Sequence, residues 1–135
     1  MINLNIYSDF VKGVTSGPSN NSDEFLHRIK DLAEGQDKVN ISLLMTSAIG
    51  MSGETGEFSE IVKKMVFQGK PLTNETLEHA SKELGDIIFY WTNACRSIGV
   101  DPNVVIQNNM NKLMSRYPGG VFNATHSENR KPTDI

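Results

Sequence analysis

With one cysteine in 135 residues, the chain cannot build an internal disulfide framework, and a reducing compartment fits. That residue, Cys95, lies on the apolar side of a helical pattern and reads as packing. No apolar run approaches the roughly 20 residues needed to span a bilayer, and the N-terminal MINLNIYSDF has no basic segment leading into an apolar one. The expectation is a cytosolic chain, neither exported nor embedded in a membrane. Positive charge is also scarce: 13 Lys and Arg against 16 Asp and Glu give a formal net charge of −3, with a pI near 5.6. Binding to DNA or RNA through a broad basic surface is therefore not expected. A glycine-rich phosphate loop is missing, which excludes a P-loop enzyme, and so is a Nudix-type REUxEExGU signature. His27, His79 and His126 form no HExxH-like zinc spacing, and no ExxH motif marks a helical carboxylate oxygenase.

Alternating strand patterns and internal repeats are absent too. What remains is helical periodicity. Leu4, Ile6, Tyr7, Phe10, Val11 and Val14 predict a first helix over residues 2–14. TSGPSNN reads as a turn, after which Ser22 is the expected N-cap of a second helix ending at Gly35. A third, longer pattern runs from Ile41 to Val66 and stops at Gln68-Gly69-Lys70-Pro71. Thr73 caps a fourth, with Leu77, Ala80, Leu84, Ile87, Ile88, Trp91, Cys95 and Ile98 on its apolar face. Asp101-Pro102 opens a fifth that reaches Tyr117-Pro118. Beyond Gly120 the composition is that of an extended or mobile polar tail. The fold class is all-α, a bundle of four or five helices, with one domain over residues 1–120 and a tail over 121–135.

GETGEFSE, residues 53–60 of the third pattern, places two glycines and three carboxylates inside a helix. Each interior glycine costs about 1 kcal/mol against alanine, and like charges one turn apart repel. Glu54, Glu57 and Glu60 can align along one ridge, and Glu83 and Asp86 repeat the spacing on the fourth helix, flanking its apolar stripe. The short QGKPL connection makes the two helices antiparallel neighbours, which can set Glu54 and Glu57 opposite Glu83 and Asp86. A lone ExxE is common on solvated helix faces. The pair on consecutive helices is not, and the i+4 positions of Glu54 and Glu57 hold Phe58 and Ile61 rather than lysine. Four converging carboxylates repel at low dielectric unless a cation joins them, and hard oxygen ligands at this density suit Mg²⁺ or Mn²⁺. Gly53 and Gly56 would then mark where a neighbouring helix or a substrate approaches the backbone.

ExxE in GETGEFSE, 25 intervening residues and ExxD in KELGDIIFYW closely resemble the MazG-like all-α nucleoside triphosphate pyrophosphohydrolases, the phage and bacterial forms most of all. The likeness extends through SIGVDP and NKLMSRYPGG and covers about three quarters of the chain. It implies hydrolysis of an NTP or dNTP between the α and β phosphates, giving a nucleoside monophosphate and pyrophosphate. Glu54, Glu57, Glu83 and Asp86 would hold Mg²⁺, and either Glu54 or Glu57 would orient or deprotonate the attacking water. Related all-α enzymes specialised for dUTP or phosphoribosyl-ATP remain open, as does a non-catalytic helical interaction module.

A triphosphate also needs cations. Asn109, Lys112 and Arg116 form a polar stripe on the fifth helix, with Lys112 and Arg116 the expected phosphate contacts; a solvated helix end is the plain alternative. Tyr90 is the expected base-stacking aromatic, whereas Trp91 sits on the core stripe. Arg130 and Lys131 in the tail could close over the phosphates or remain solvated. Apolar residues on more than one side of the third and fourth helices point to a homodimer or homotetramer, as the resemblance also implies.

Overall fold

The computed structural model describes residues 3–35 and 38–129. Within them the chain forms seven helical segments and no strand: α1 (Leu4–Val14), α2 (Gly17–Asn20), α3 (Ser22–Glu34), α4 (Ile41–Gln68), α5 (Asn74–Ser97), α6 (Pro102–Arg116) and α7 (Ala124–Glu128). The all-α class is as expected, and none of these helices is long and apolar enough to cross a membrane.

The boundaries follow local chemistry. Asn40 starts α4 by accepting the Leu43 N–H at 2.9 Å, and Gly69, at φ 68°, ends it in a left-handed conformation that a side chain would disfavour. Thr73 Oγ1 accepts the Thr76 N–H at 3.2 Å to open α5. Asp101 Oδ1 accepts from Asn103 at 2.8 Å, with Pro102 as the first residue of α6. Three expectations are corrected. Asn21, not Ser22, caps α3, its Oδ1 accepting from Asp23 and Glu24 at 2.9 and 3.2 Å. The TSGPSNN turn contains one helical turn, α2, which starts at Gly17 with Pro18 as its second residue. The segment after Gly120 is not wholly extended, because Asn123 accepts the His126 N–H at 3.1 Å and nucleates α7. Arg130 and Lys131 lie outside the described residues.

α4 and α5 pack against each other along their lengths as an antiparallel hairpin, with much lighter contact from α3 and α6. At one end the hairpin is closed by the turn through Gly69 and Pro71. At the other the Asn40 N–H donates to the Ser97 carbonyl at 2.7 Å. Ser47 and Ser97 are wholly buried there, and each hydroxyl is satisfied by its own helix, Ser47 donating to Leu43 O at 2.6 Å and Ser97 to Ala94 O at 2.7 Å. Small, internally bonded side chains let the helices approach without orphaning a polar group.

The close approach expected at Gly53 and Gly56 occurs one turn earlier. A Cβ on Gly50 would overlap the Tyr90 ring, while Gly53 and Gly56 have nothing against them. Among the described residues, no neighbouring helix approaches those two glycines.

Few apolar side chains are buried among the described residues. Ile61 and Cys95 are the buried hydrophobic side chains among the described residues, whereas Leu4, Phe10, Val66, Leu84, Ile88 and Phe89 are exposed. Its accessible surface is 10667 Å², against about 7000 Å² for a compact monomer of this mass.

Candidate active site

Midway along the hairpin, α4 contributes Glu54 and Glu57 and α5 contributes Glu83. One carboxylate oxygen from each lies within 4.8 Å of the others. The grouping follows from the crossing at Gly50 and Tyr90: moving one to two turns down α4 and up α5 from that contact brings Glu54 and Glu57 opposite Glu83. Glu83 is the buried member, its side chain 8% exposed; Glu54 is half-buried and Glu57 open to solvent.

Asp86 is exposed and stands outside this tight group. Its charge is nevertheless felt at Glu54, whose carboxyl is pushed above the usual range. Burial is the largest cause, followed by the negative charges of Asp86 and Glu57 and by a hydrogen bond and charge interaction with Glu83. The cluster is thus self-repelling as it stands. Glu60 has another fate. It pairs with Lys64 at 3.2 Å and Lys63 at 3.5 Å on the solvent side of α4, and these contacts lower its pKa, the hydrogen bond from Lys64 most of all.

These shifts have opposite consequences for stability. A carboxyl whose pKa is raised on folding takes up a proton more readily in the native state, so native stability rises as pH falls through that range; a lowered pKa, as at Glu60, acts in reverse. In metal-free protein, Glu54→Gln is therefore expected to raise Tm at pH 7, with the gain shrinking as pH approaches the carboxylate range. Thermal scans from pH 7 to pH 4 check this, and a pH-independent difference would contradict the repulsion.

His79, one turn before Glu83 on α5, brings Nε2 to 3.0 Å from Glu83 Oε1. It has no zinc-like spacing to another histidine, and sequence reasoning passed over it. The available signal was its i,i+4 relation to a carboxylate flanking the apolar stripe.

α5 and α6 border an open groove of about 690 Å³ lined by Ile87, Ile88, Trp91, Val105, Ile106, Asn108, Asn109 and Lys112. Asn109 and Lys112 thus share one groove, and none of the four acids is among the residues that line it. Arg116, half-buried in the last turn of α6, is not part of its lining. The two aromatics exchange their expected surroundings. Tyr90 is seated on α4 at Gly50, its ring 5.2 Å from that of Phe89 in an edge-to-face arrangement, while Trp91 faces the groove.

Residues 45–121 match the MazG nucleotide pyrophosphohydrolase domain, a stretch that contains all four acids, the groove and α6. The chain belongs to the MazG family. It is also similar to the Gene 37 protein of Mycobacterium phage L5, with 35% identity over 75 residues, 55% of this chain and 66% of the phage protein. The alignment thus falls just short of two thirds of that relative's length. No solved structure matches the chain.

Among the described residues, the cluster of three carboxylates is what could hold the metal on which the family typically depends. The donor set fits a hard divalent ion: all ligands are carboxylate oxygens, from two facing helices, with uncompensated negative charge and one buried member.

Proposed function

We propose that this MazG chain hydrolyses a nucleoside or deoxynucleoside triphosphate between the α and β phosphates, releasing a nucleoside monophosphate and pyrophosphate. The observation that carries the reading is the meeting of Glu54, Glu57 and Glu83 between α4 and α5, with the charge of Asp86 acting on the same group. In this reading the four acids are ligands of Mg²⁺, or of Mn²⁺ in its place. Such an ion would polarise the phosphate oxygens and acidify a bound water.

The chain's own residues divide the remaining work. Glu54 or Glu57 receives the proton as a water oxygen bonds to phosphorus and the bridging α–β oxygen departs with the pyrophosphate. Lys112 meets the phosphates from the groove side, and Arg116 lies one turn further along α6 as a second cation for them. Asn109 and Trp91 supply an amide and an aromatic face for the nucleoside within the groove. Tyr90, packed on Gly50, contributes to the helix crossing that supports the groove.

We also propose that the working form is a homodimer or a dimer of dimers. The chain exposes about 3600 Å² more than a compact monomer of its mass. Each partner's share of an obligate dimer interface is roughly 1000–2500 Å². One large interface, or two, would cover the difference.

The decisive test incubates purified protein with Mg²⁺ and each NTP and dNTP, including dUTP, and identifies the products. Pyrophosphate with the monophosphate, abolished by EDTA, is the expected outcome. Orthophosphate with a diphosphate would place the cut elsewhere, and no release from any nucleotide would favour a non-catalytic interaction module.

A further inference from the structure

α1, α2 and α3 precede residue 45 and so lie outside the stretch that matches the MazG domain. On α1, Leu4, Ile6, Tyr7, Phe10 and Val14 are each more than half exposed, with Val11 exposed beside them. The helix packs on every other element more slightly than α3 packs on α4. Its ends, by contrast, are firmly made. Asn3 Oδ1 accepts the Ile6 N–H at 3.0 Å, and Asn20 Nδ2 donates to the carbonyls of Lys12 and Thr15 at 3.2 and 3.0 Å, tying the last turn of α1 to α2. An 11-residue helix is marginal in water by itself, because most helical stability in proteins comes from covering an apolar face. α1 is thus capped and anchored, yet among the described residues nothing covers the face it presents.

We propose that α1 pairs with α1 of a second copy across a twofold axis, the two apolar faces meeting antiparallel. This builds on the oligomer proposed above and gives it a surface outside the α4–α5 hairpin. Tyr7, Phe10, Val11 and Val14 stand at i, i+3, i+4 and i+7, the set by which an amphipathic helix seats on an apolar partner surface. The midpoint of that set falls between Phe10 and Val11, so an axis through it brings these two against their counterparts. Asp9 and Lys12, the charged residues of α1, project from the opposite side of the helix. Two such faces therefore meet with no like charges between them, and a twofold contact needs only one kind of patch.

The exposed area favours a second copy as the occupant. The surplus of about 3600 Å² exceeds the roughly 1000–2500 Å² that one obligate interface takes from each partner. Contact through the hairpin faces that carry Leu84 and Val66 would leave α1 uncovered, since α1 packs so slightly on α4 and α5. Two different twofold contacts on one chain generate a closed dimer of dimers. A membrane surface fits less well: interfacial helices carry a polar face rich in Lys and Arg, and α1 offers Lys12 alone, with Asp9 beside it.

Light scattering on the full chain tests the pairing. Phe10→Asp and Phe10→Lys are each expected to reduce the assembly to about half its wild-type mass, because one twofold contact is lost. Phe10 is 63% exposed, so neither change should unfold the chain, and an unchanged helical circular dichroism spectrum checks this. An equimolar mixture of the two variants is expected to regain the wild-type mass, as the carboxylate of one copy then faces the ammonium of the other. Lys12→Ala, on the far side of α1, should keep the wild-type mass. That mass in folded Phe10→Asp protein would overturn the pairing, leave an assembly through Leu84 and Val66 intact, and assign the face to a partner of another kind. A mixture that stays at the reduced mass would overturn the antiparallel meeting at Phe10. A wild-type species of 15.0 kDa would overturn the oligomer, and this pairing with it.

Discussion

Glu57→Ala protein is expected to lose about 1000-fold or more in pyrophosphate release while remaining folded, and Asp86→Ala is expected to do the same. Such a loss corresponds to about 4 kcal/mol of transition-state stabilisation, the scale on which a misplaced metal and its bound water act. Both side chains are solvent-exposed, so little packing is lost on truncation. Each carries negative charge that disfavours the ionised form of Glu54, so the metal-free variants should melt at or above the wild-type temperature. A combined fall in activity and rise in apo stability is hard to produce by general damage, since most truncations destabilise. Steady-state assays at saturating Mg²⁺ alongside metal-free thermal scans give both readings. Full activity in either variant would remove that residue from the ligand set. Glu83 is a poorer test, because its burial and its contact with His79 confound catalysis with folding.

The second large effect concerns assembly. Light scattering at micromolar concentration should give at least twice the 15.0 kDa chain mass, and Tm should rise with protein concentration, as mass action requires when folding and association are coupled. Leu84→Asp and Val66→Asp place a charge on exposed apolar faces of α5 and α4. On a truly solvated surface each change would be nearly neutral. If a second copy covers these faces, each should shift the mass distribution toward the monomer and lower Tm by about 10 °C or more, since a few kcal/mol lost at 2–8 °C each gives that shift. A 15.0 kDa species that melts independently of concentration would defeat the proposal.

Much of this arrangement was legible because helices announce their ends. Thr73, Asp101-Pro102 and Gly69 act as the local rules require, and the spacing of the acids was visible without any fold. The exchange between Tyr90 and Trp91 was not. Periodicity gives a residue's azimuth on α5 but does not say whether α4 or α6 lies on that side. The contact at Gly50, which assigns Tyr90 to α4, depends on the crossing of two helices 40 residues apart along the chain. Glu60 illustrates another gap. Its spacing continues the ridge of Glu54 and Glu57, yet the lysines at i+3 and i+4 draw it outward, and local pairing won over the longer pattern. Apolar periodicity also led to an expectation of burial that the chain by itself does not meet, since Leu77, Leu84, Ile88 and Ile98 are exposed. His79 escaped because an i,i+4 histidine–glutamate pair looks the same in sequence whether its acid is exposed or buried.

The Asn40–Ser97 hydrogen bond and the Gly69 turn anchor opposite ends of the α4–α5 hairpin, and the acids lie in the span between them. Mechanically this is a beam supported at both ends, so the gap at midspan is set by the supports rather than by the acids alone. Enlarging a support, as a bulky residue at Ser47 or Ser97 would, splays the beam and separates Glu54 from Glu83 without touching either. On the metal-binding reading proposed above, the gap would limit the ionic radius the site accepts, since Mg²⁺ binds oxygen at about 2.0–2.1 Å and Ca²⁺ at about 2.3–2.6 Å. Selection between ions of equal charge would then become a property of the whole hairpin, extending to serines that no ion would meet.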